Sequence, residues 1–511
     1  MHLRSISFAS LAVLLTAVLF SPTPAHAATC ESLAALALPD STITMAQSVA
    51  AGAFSLPATG RGAAQRNAAF KELPAFCRVA ATLKPSSDSD IKIEVWLPAS
   101  NWNGKFQAVG NGGWAGTISY PAMAQALVRG YATSSTDTGH STPGGSFALG
   151  HPEKLIDFGY RSEHEMSVKA KSIIAAFYGN GPRLSYWNGC STGGRQGLRE
   201  AQSYANDFDG IIAGAPANPR TRLAGWGIYA AQAVLKEKAS YIPTSKYPMI
   251  HQAVVGACDA NDGLKDGLID DPTRCKFDFK TIECKGEDTA SCLTAPQVVA
   301  AKKLTSPAMN SKTGELIYPG FSLGAELGWG IQAAGPEPGA NGFDQYKYVV
   351  FKDPNWDWRT FNLDTDVGLA DKIDNGTINA INPDLGAFQK HGGKLLMYHG
   401  WSDPNVPPES TINYYKSVLD KMGSGPKSSE WLRLFMVPGM GHCGGGEGPN
   451  TFDMVTMLEE WVEKGKAPEQ IVATRRTNGQ VDRTRPLCPY PQTAKYKGTG
   501  STDDAANFVC R

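Results

Sequence analysis

The stretch Leu184-Ser-Tyr-Trp-Asn-Gly-Cys-Ser191-Thr-Gly-Gly-Arg-Gln-Gly-Leu198 constrains this chain more than any other. It reads as a short aromatic strand, a tight Gly-x-Ser-x-Gly turn, and a run able to begin a helix. In such a strand–turn–helix corner the serine stands proud of the sheet top, and the next backbone N–H faces the same space. With 54 glycines in the chain the pattern also recurs by chance, at Gly320-Phe-Ser322-Leu-Gly324. Pro319 precedes that second match and disfavours a central strand feeding into it. Leu184–Trp187, by contrast, suits a buried strand. Ser191 is therefore the candidate nucleophile.

A serine hydroxyl is a weak nucleophile near neutral pH. It needs a histidine to take its proton and an acid to fix the histidine's tautomer. Two later strands each end in a suitable residue. Lys394-Leu-Leu-Met-Tyr-His399 runs into Gly400-Trp-Ser-Asp403-Pro, and Leu432-Arg-Leu-Phe-Met-Val437 runs into Pro438-Gly-Met-Gly-His442-Cys443. The chain order Ser191, Asp403, His442 is that of an α/β hydrolase. Cys190 immediately precedes the serine and Cys443 immediately follows the histidine. If the two side chains meet, their neighbours come near the ~5.5 Å Cα spacing a disulfide prefers, so a Cys190–Cys443 bridge is expected. Gly110-Asn-Gly-Gly113 ends an early strand, where this architecture draws its second oxyanion donor. The N–H groups of Gly113 and Thr192 are the expected pair. Asp137-Thr-Gly-His140 also ends a strand, and His140 reads as a structural hydrogen-bonding residue.

Strand-like segments at Ile91–Leu97, Phe106–Val109, Tyr131–Thr136 and Phe208–Pro216 alternate with helical spacing at Glu165–Phe177 and from about Gly194. Strands alternating with helices imply an α/β fold with a mostly parallel sheet. Residues 28 to about 80 read as an Ala-, Ser- and Pro-rich approach segment. Near Asn218 the rhythm breaks. Residues 217–385 are irregular, punctuated by Pro and Gly, and rich in aromatics. A loop of that length is rare in a compact protein, so they form an inserted lobe between 28–216 and 386–511. Phe452–Lys464 has the pattern of a last amphipathic helix, and the tail beyond it reads as loop-rich.

The first 27 residues have a positive start (His2, Arg4), an apolar run Ile6–Phe20 and a small-residue site at Ala25-His-Ala27, the pattern of a secretory signal peptide. Nothing later has the ~18 apolar residues a membrane span needs. All ten cysteines follow that site, and an even count in an exported chain implies five disulfides. A secreted or periplasmic location follows. Lys plus Arg equals Asp plus Glu at 48 each. That balance gives no electrostatic case for nucleic acid or an anionic membrane surface, so the partner is a small, mostly uncharged substrate.

Asp259-Ala-Asn-Asp262-Gly-Leu264-Lys-Asp266-Gly-Leu268-Ile-Asp270 packs carboxylates three and four residues apart. Oxygen donors at this density suit Ca²⁺ in a structural role. The spacing is not that of an EF-hand, and Cys258 and Cys275 bracket the loop. Asn375-Gly-Thr377 matches a glycosylation sequon that we read as carrying no meaning here.

Together the Gly-Cys190-Ser191-Thr-Gly-Gly run, the Asp259–Leu268 loop, the Gly-Trp-Ser-Asp403-Pro stretch and the Gly-Met-Gly-His442-Cys443 stretch resemble the tannase and feruloyl esterase family over nearly the whole mature chain. The resemblance implies an α/β-hydrolase domain carrying a lid, here residues 217–385, and a triad of Ser191, Asp403 and His442. It implies lid Ca²⁺ held by Asp259, Asp262, Asp266 and the carbonyls of Leu264 and Leu268. It also implies the pairs Cys30–Cys77, Cys190–Cys443, Cys258–Cys275, Cys284–Cys292 and Cys488–Cys510. The substrate it implies is an ester of an aromatic acid, in some members attached to plant polysaccharide. The family's terephthalate monoesterases clamp a second carboxylate with a lid arginine, and none occurs around Gly339–Phe343. Trp329, Phe343 and Val406 are candidate ring contacts. A non-catalytic binding protein on this scaffold would require a broken triad, whereas all three members are present.

Overall fold

The computed structural model describes residues 28–56, 67–335 and 337–511. The signal-peptide reading of residues 1–27 lies outside the described residues. A nine-stranded sheet forms the centre. Its strands, numbered in chain order, are β1 (Ser41–Val49), β2 (Phe76–Leu83), β3 (Ile91–Pro98), β4 (Lys105–Val109), β5 (Ala132–Thr136), β6 (Leu184–Cys190), β7 (Gly210–Gly214), β8 (Lys394–Gly400) and β9 (Leu432–Val437). The order across the sheet is β1-β2-β3-β5-β4-β6-β7-β8-β9. From β5 to β9 every pairing is parallel, and β1, β2 and β3 add antiparallel strands at one edge. This is the α/β-hydrolase arrangement, with its switch in strand order near the centre of the sheet.

The central strands are covered on both faces and read as apolar runs for that reason. Ile211, Ile212, Leu395, Leu396, Met397 and Leu434 are all buried, and each large side chain removed from water contributes roughly 1.5–3 kcal/mol. The approach segment expected over residues 28 to about 80 contains β1 and β2, which pair from Ser41 with Leu83 to Val49 with Phe76. β1 is an edge strand, partly exposed on both faces, so its sequence, Ser-Thr-Ile-Thr-Met-Ala-Gln-Ser-Val, carries no clear alternation. The tail is also more ordered than expected. Beyond the helix Met454–Lys464, Ile471–Thr477 and Gln480–Leu487 pair as an antiparallel hairpin.

Within residues 217–385 a separate hydrophobic cluster gathers around Trp226, Trp329 and Trp358, all essentially inaccessible. Ala380 and Leu385 already pack with the sheet's own cluster, so the core of the insert ends before them. Insert and sheet meet where Val349 and Ile378 pack with Trp114 and Phe158. Among the described residues no helix is long and apolar enough to cross a membrane.

Candidate active site

β6 delivers Ser191 at the centre of the sheet top. Its φ of 64° and ψ of −122° lie in a region few non-glycine residues occupy. The turn is held by Ser191 N–H donating to Gly214 O at 2.9 Å and Arg195 N–H donating to Ser191 O at 3.0 Å. The glycines around it are there because backbones touch. A Cβ on Gly189 would sit 2.4 Å from Gly193 O, and one on Gly194 would sit 2.3 Å from Gly214 O. Trp187, fully buried in β6, donates Nε1–H to Gly193 O at 2.9 Å and ties strand to turn. The helix that follows, Thr192–Ser203, starts immediately after the serine.

The acid comes from the loop after β8 and the histidine from the loop after β9. His442 Nδ1 lies 2.6 Å from Asp403 Oδ2. A carboxylate only accepts, so Nδ1 carries the proton and Nε2 is the free base. Asp403 Oδ1 accepts the N–H groups of Asn405 and Val406 at 2.7 and 3.0 Å. Burial alone would raise the Asp403 carboxyl, but hydrogen bonds from His399 and His442 outweigh it and hold the pKa well below the usual carboxylate range. Asp403 is thus a fixed anion, fully buried.

Sequence reasoning placed His399 in β8 and gave it no role. Its Nε2 is 3.0 Å from Asp403 Oδ2 and 2.9 Å from Val406 O, both acceptors, so Nε2 carries the proton. Its Nδ1 meets Thr411 Oγ1 at 2.7 Å. The available signal was a histidine ending a buried strand four residues before the acid.

Cys190 and Cys443 are bridged, with Cα atoms 6.0 Å apart, and join the serine and histidine loops. All five bridges pair as the family resemblance implied: Cys30–Cys77, Cys258–Cys275, Cys284–Cys292 and Cys488–Cys510 are the others. Ser191, His442 and Gly113 line one narrow cavity of about 40 Å³. Thr192 Oγ1 donates to Gly113 O at 2.7 Å and fixes the Gly-rich loop against the turn. Among the described residues neither the Gly113 nor the Thr192 N–H donates to a protein acceptor. His140 is buried, stacks on Phe147 and bonds Thr142 O, away from this constellation. Ser322 is buried without a partner for its Oγ among the described residues, so the second Gly-x-Ser-x-Gly match exposes no nucleophile.

Of the three candidate ring contacts, Val406 lines the cavity. Trp329 does not. It is enclosed by Tyr247, Phe279 and Phe321 in the insert's core, because a large apolar ring there gains more from complete burial than from a solvent-facing wall. Phe343 also lies off the wall, stacked on Trp356 beneath the Lys347 ammonium, while its neighbour Gly342 is on it. Gly339–Phe343 holds no arginine, and the guanidinium at this wall comes instead from Arg220, far away in sequence. Arg220 lines the cavity, with its guanidinium 4.7 Å over the Trp114 ring. Burial pulls its pKa down to about 10, so it remains cationic at neutral pH.

The acidic loop follows the helix Tyr247–Cys258 and is bracketed by the Cys258–Cys275 bridge. Asp259 accepts the N–H groups of Asp266 and Gly267, Asp262 that of Leu264, and Asp266 that of Leu268. Arg485 reaches the Asp266 carboxylate, and Arg483 donates to its carbonyl at 3.0 Å. Asp270 Oδ2 is buried without a partner among the described residues. The donors Asp259, Asp262, Asp266 and the carbonyls of Leu264 and Leu268 are all hard oxygens, with the unpartnered Asp270 oxygen nearby in the chain, a chemistry that fits calcium rather than zinc.

A nucleophile elbow, an acid and a histidine after successive later strands, and this sheet order define an α/β hydrolase. The family model for tannase and feruloyl esterase matches residues 77–511, and the chain belongs to that family. It is 38% identical to an uncharacterized esterase of Xanthomonas campestris, over 96% of this chain and 92% of that protein. It is 37% identical to a probable feruloyl esterase B-2 of Neosartorya fischeri, covering 85% and 86%. Feruloyl esterase B from Aspergillus oryzae superposes with a TM-score of 0.88 at 33% identity, covering 94% of this chain and 99% of that one. The chain is a carboxylic ester hydrolase of the feruloyl esterase and tannase type.

Proposed function

We propose that this enzyme hydrolyses esters of aromatic, hydroxycinnamic-type acids through an acyl-enzyme on Ser191. The Asp403–His442 contact of 2.6 Å beside the Cys190–Cys443 bridge carries the reading. His442 Nε2 takes the Ser191 proton as Oγ bonds to the ester carbon. The carbonyl π electrons move to oxygen, and the N–H groups of Gly113 and Thr192 hold that anion. Losing one such donor typically costs ~3 kcal/mol of barrier stabilisation. The intermediate collapses, the alcohol leaves with the proton from His442, and water activated by the same nitrogen releases the aromatic acid. Asp403 stays ionised throughout and orients the ring.

Asp259, Asp262, Asp266 and the carbonyls of Leu264 and Leu268 would hold Ca²⁺, which supplies charge neutralisation and loop rigidity when bound. Residues 217–385 act as the lid that covers the acyl pocket. The five disulfides favour an oxidising compartment, secreted or periplasmic. Arg220 on the cavity wall favours, as a second reading, an acyl ring carrying an acidic or strongly hydrogen-bond-accepting substituent, as in the tannase or terephthalate-monoester branch.

Ser191→Ala tests the nucleophile. Hydrolysis of methyl ferulate falls to background while the circular dichroism spectrum and Tm stay unchanged; a variant of undiminished activity overturns the assignment. A panel adding methyl gallate and a terephthalate monoester ranks the acyl groups, and labelling of the wild type by a fluorophosphonate separates an enzyme from a hydrolase-like binding protein.

A further inference from the structure

Away from the cavity, His164, Glu200 and Asp207 bring one ligand atom each within 4.8 Å of one another. They come from three pieces of chain. His164 belongs to the helix Ser162–Tyr178, Glu200 to the last turn of Thr192–Ser203, and Asp207 to the loop after it. The His164 ring is held flat against Tyr204, with centroids 3.9 Å apart, and its Nδ1 lies 2.6 Å from Asp207 Oδ2. Glu200 is fully inaccessible, and neither of its carboxylate oxygens has a hydrogen-bond partner among the described residues.

A buried carboxylate without a donor is rare in a folded protein. Such a group beside a second carboxylate and an imidazole calls for a cation or a shared proton. Lys171 does not meet the need directly, since its ammonium is bonded to the Asp207 carbonyl. We propose that His164, Glu200 and Asp207 form a binding site for a first-row divalent cation of the zinc type. One imidazole nitrogen and two carboxylates favour such an ion over Ca²⁺, whose ligands are oxygens. The two carboxylates neutralise its charge. Around a tetrahedral zinc the ligand atoms stand roughly 3.4 Å apart, so the hydrogen-bonded His164 and Asp207 atoms, now 2.6 Å apart, separate slightly to admit the ion, and a water completes the shell. The partly exposed His164 and Asp207 leave an entry path. The bound ion would fasten the far end of the helix Thr192–Ser203 to the preceding helix.

The test uses the full chain with excess Ca²⁺ present, so that the acidic loop does not compete. Wild type, Glu200→Gln and His164→Gln are dialysed against Zn²⁺ and their metal content is measured by mass spectrometry, alongside Tm with and without Zn²⁺. Wild type is expected to retain about one zinc and gain Tm. Each variant is expected to lose affinity by more than the ~10-fold that even an outer-shell change produces, with no zinc-dependent gain in Tm. Glu200→Gln replaces a shared proton by an amide, so a site held together by a proton alone leaves wild type without zinc. That result, or equal zinc uptake in wild type and both variants, overturns the proposal.

Discussion

His399 and His442 approach the same carboxylate oxygen, Asp403 Oδ2, at 3.0 and 2.6 Å. One histidine holds the acid, and the acid holds the other. Because His399 is locked from behind by Thr411 and Val406, the carboxylate is fixed in position before His442 engages it.

Removing that support shifts the pH dependence. His399→Ala deletes one of the donors that depress the Asp403 pKa, so the folded-state value rises and the acid loses its charge at a higher pH. The acid limb of the kcat/KM profile is expected to move toward neutral pH relative to wild type. Matched profiles on one substrate decide it, and an unmoved limb removes His399 from the positioning role.

Breaking the bridge between the two catalytic loops affects stability and rate together. Cys190 and Cys443 are 253 residues apart in sequence, and loss of a native disulfide typically costs about 2–5 kcal/mol. Cys190→Ala with Cys443→Ala is expected to lower the unfolding free energy by that order, seen as a lower urea midpoint, and to reduce kcat more than it raises KM. Chemical denaturation and steady-state kinetics on the double variant measure both.

Calcium removal is expected to act on the melting curve before the rate. The acidic loop is far from Ser191 in the chain and none of its residues lines the cavity. Excess chelator should lower Tm while initial rates at moderate temperature stay close to wild type. A melting curve indifferent to chelator would end the calcium assignment.

A histidine between lobes sets an alkaline limit. His251 sits between Glu326 at 2.8 Å and Glu447 at 2.7 Å, the second on the loop just beyond His442. Arg475 donates to the Glu447 carbonyl at 2.8 Å on the far side. Burial disfavours the imidazolium, but the two glutamates outweigh it and lift the pKa to about 9. A folded-state pKa above the unfolded 6.5 means this stabilisation is complete below pH 6.5 and is lost as pH rises through about 9. The stability difference between wild type and His251→Gln should therefore shrink between pH 6.5 and 9.5. Denaturation at both ends of that window checks the sign.

Much of this architecture could be read from residues because buried parallel strands are apolar on both faces. Leu395–Met397 and Leu432–Val437 announce themselves, and their loops then point to Asp403 and His442. β1 could not be read, because an edge strand has no dry face to impose a pattern on Ser41–Val49. His399 was visible as a residue but not as a partner, since its role depends on a turn that folds Val406 back over it. That Arg220 lies on the cavity wall was not legible because the wall is assembled from distant segments, and Trp329 was misplaced because a ring's composition does not say which side of a layer it faces.

The Cys190–Cys443 link closes the backbone into a ring that contains the whole insert. A single proteolytic cut anywhere between residues 191 and 442 would therefore leave two fragments that cannot diffuse apart. Nucleophile and base would remain tethered in a nicked molecule, and residues 217–385 would be free to be clipped, or split by design, without separating the halves of the reaction centre. Only a reductant would finish what the protease began.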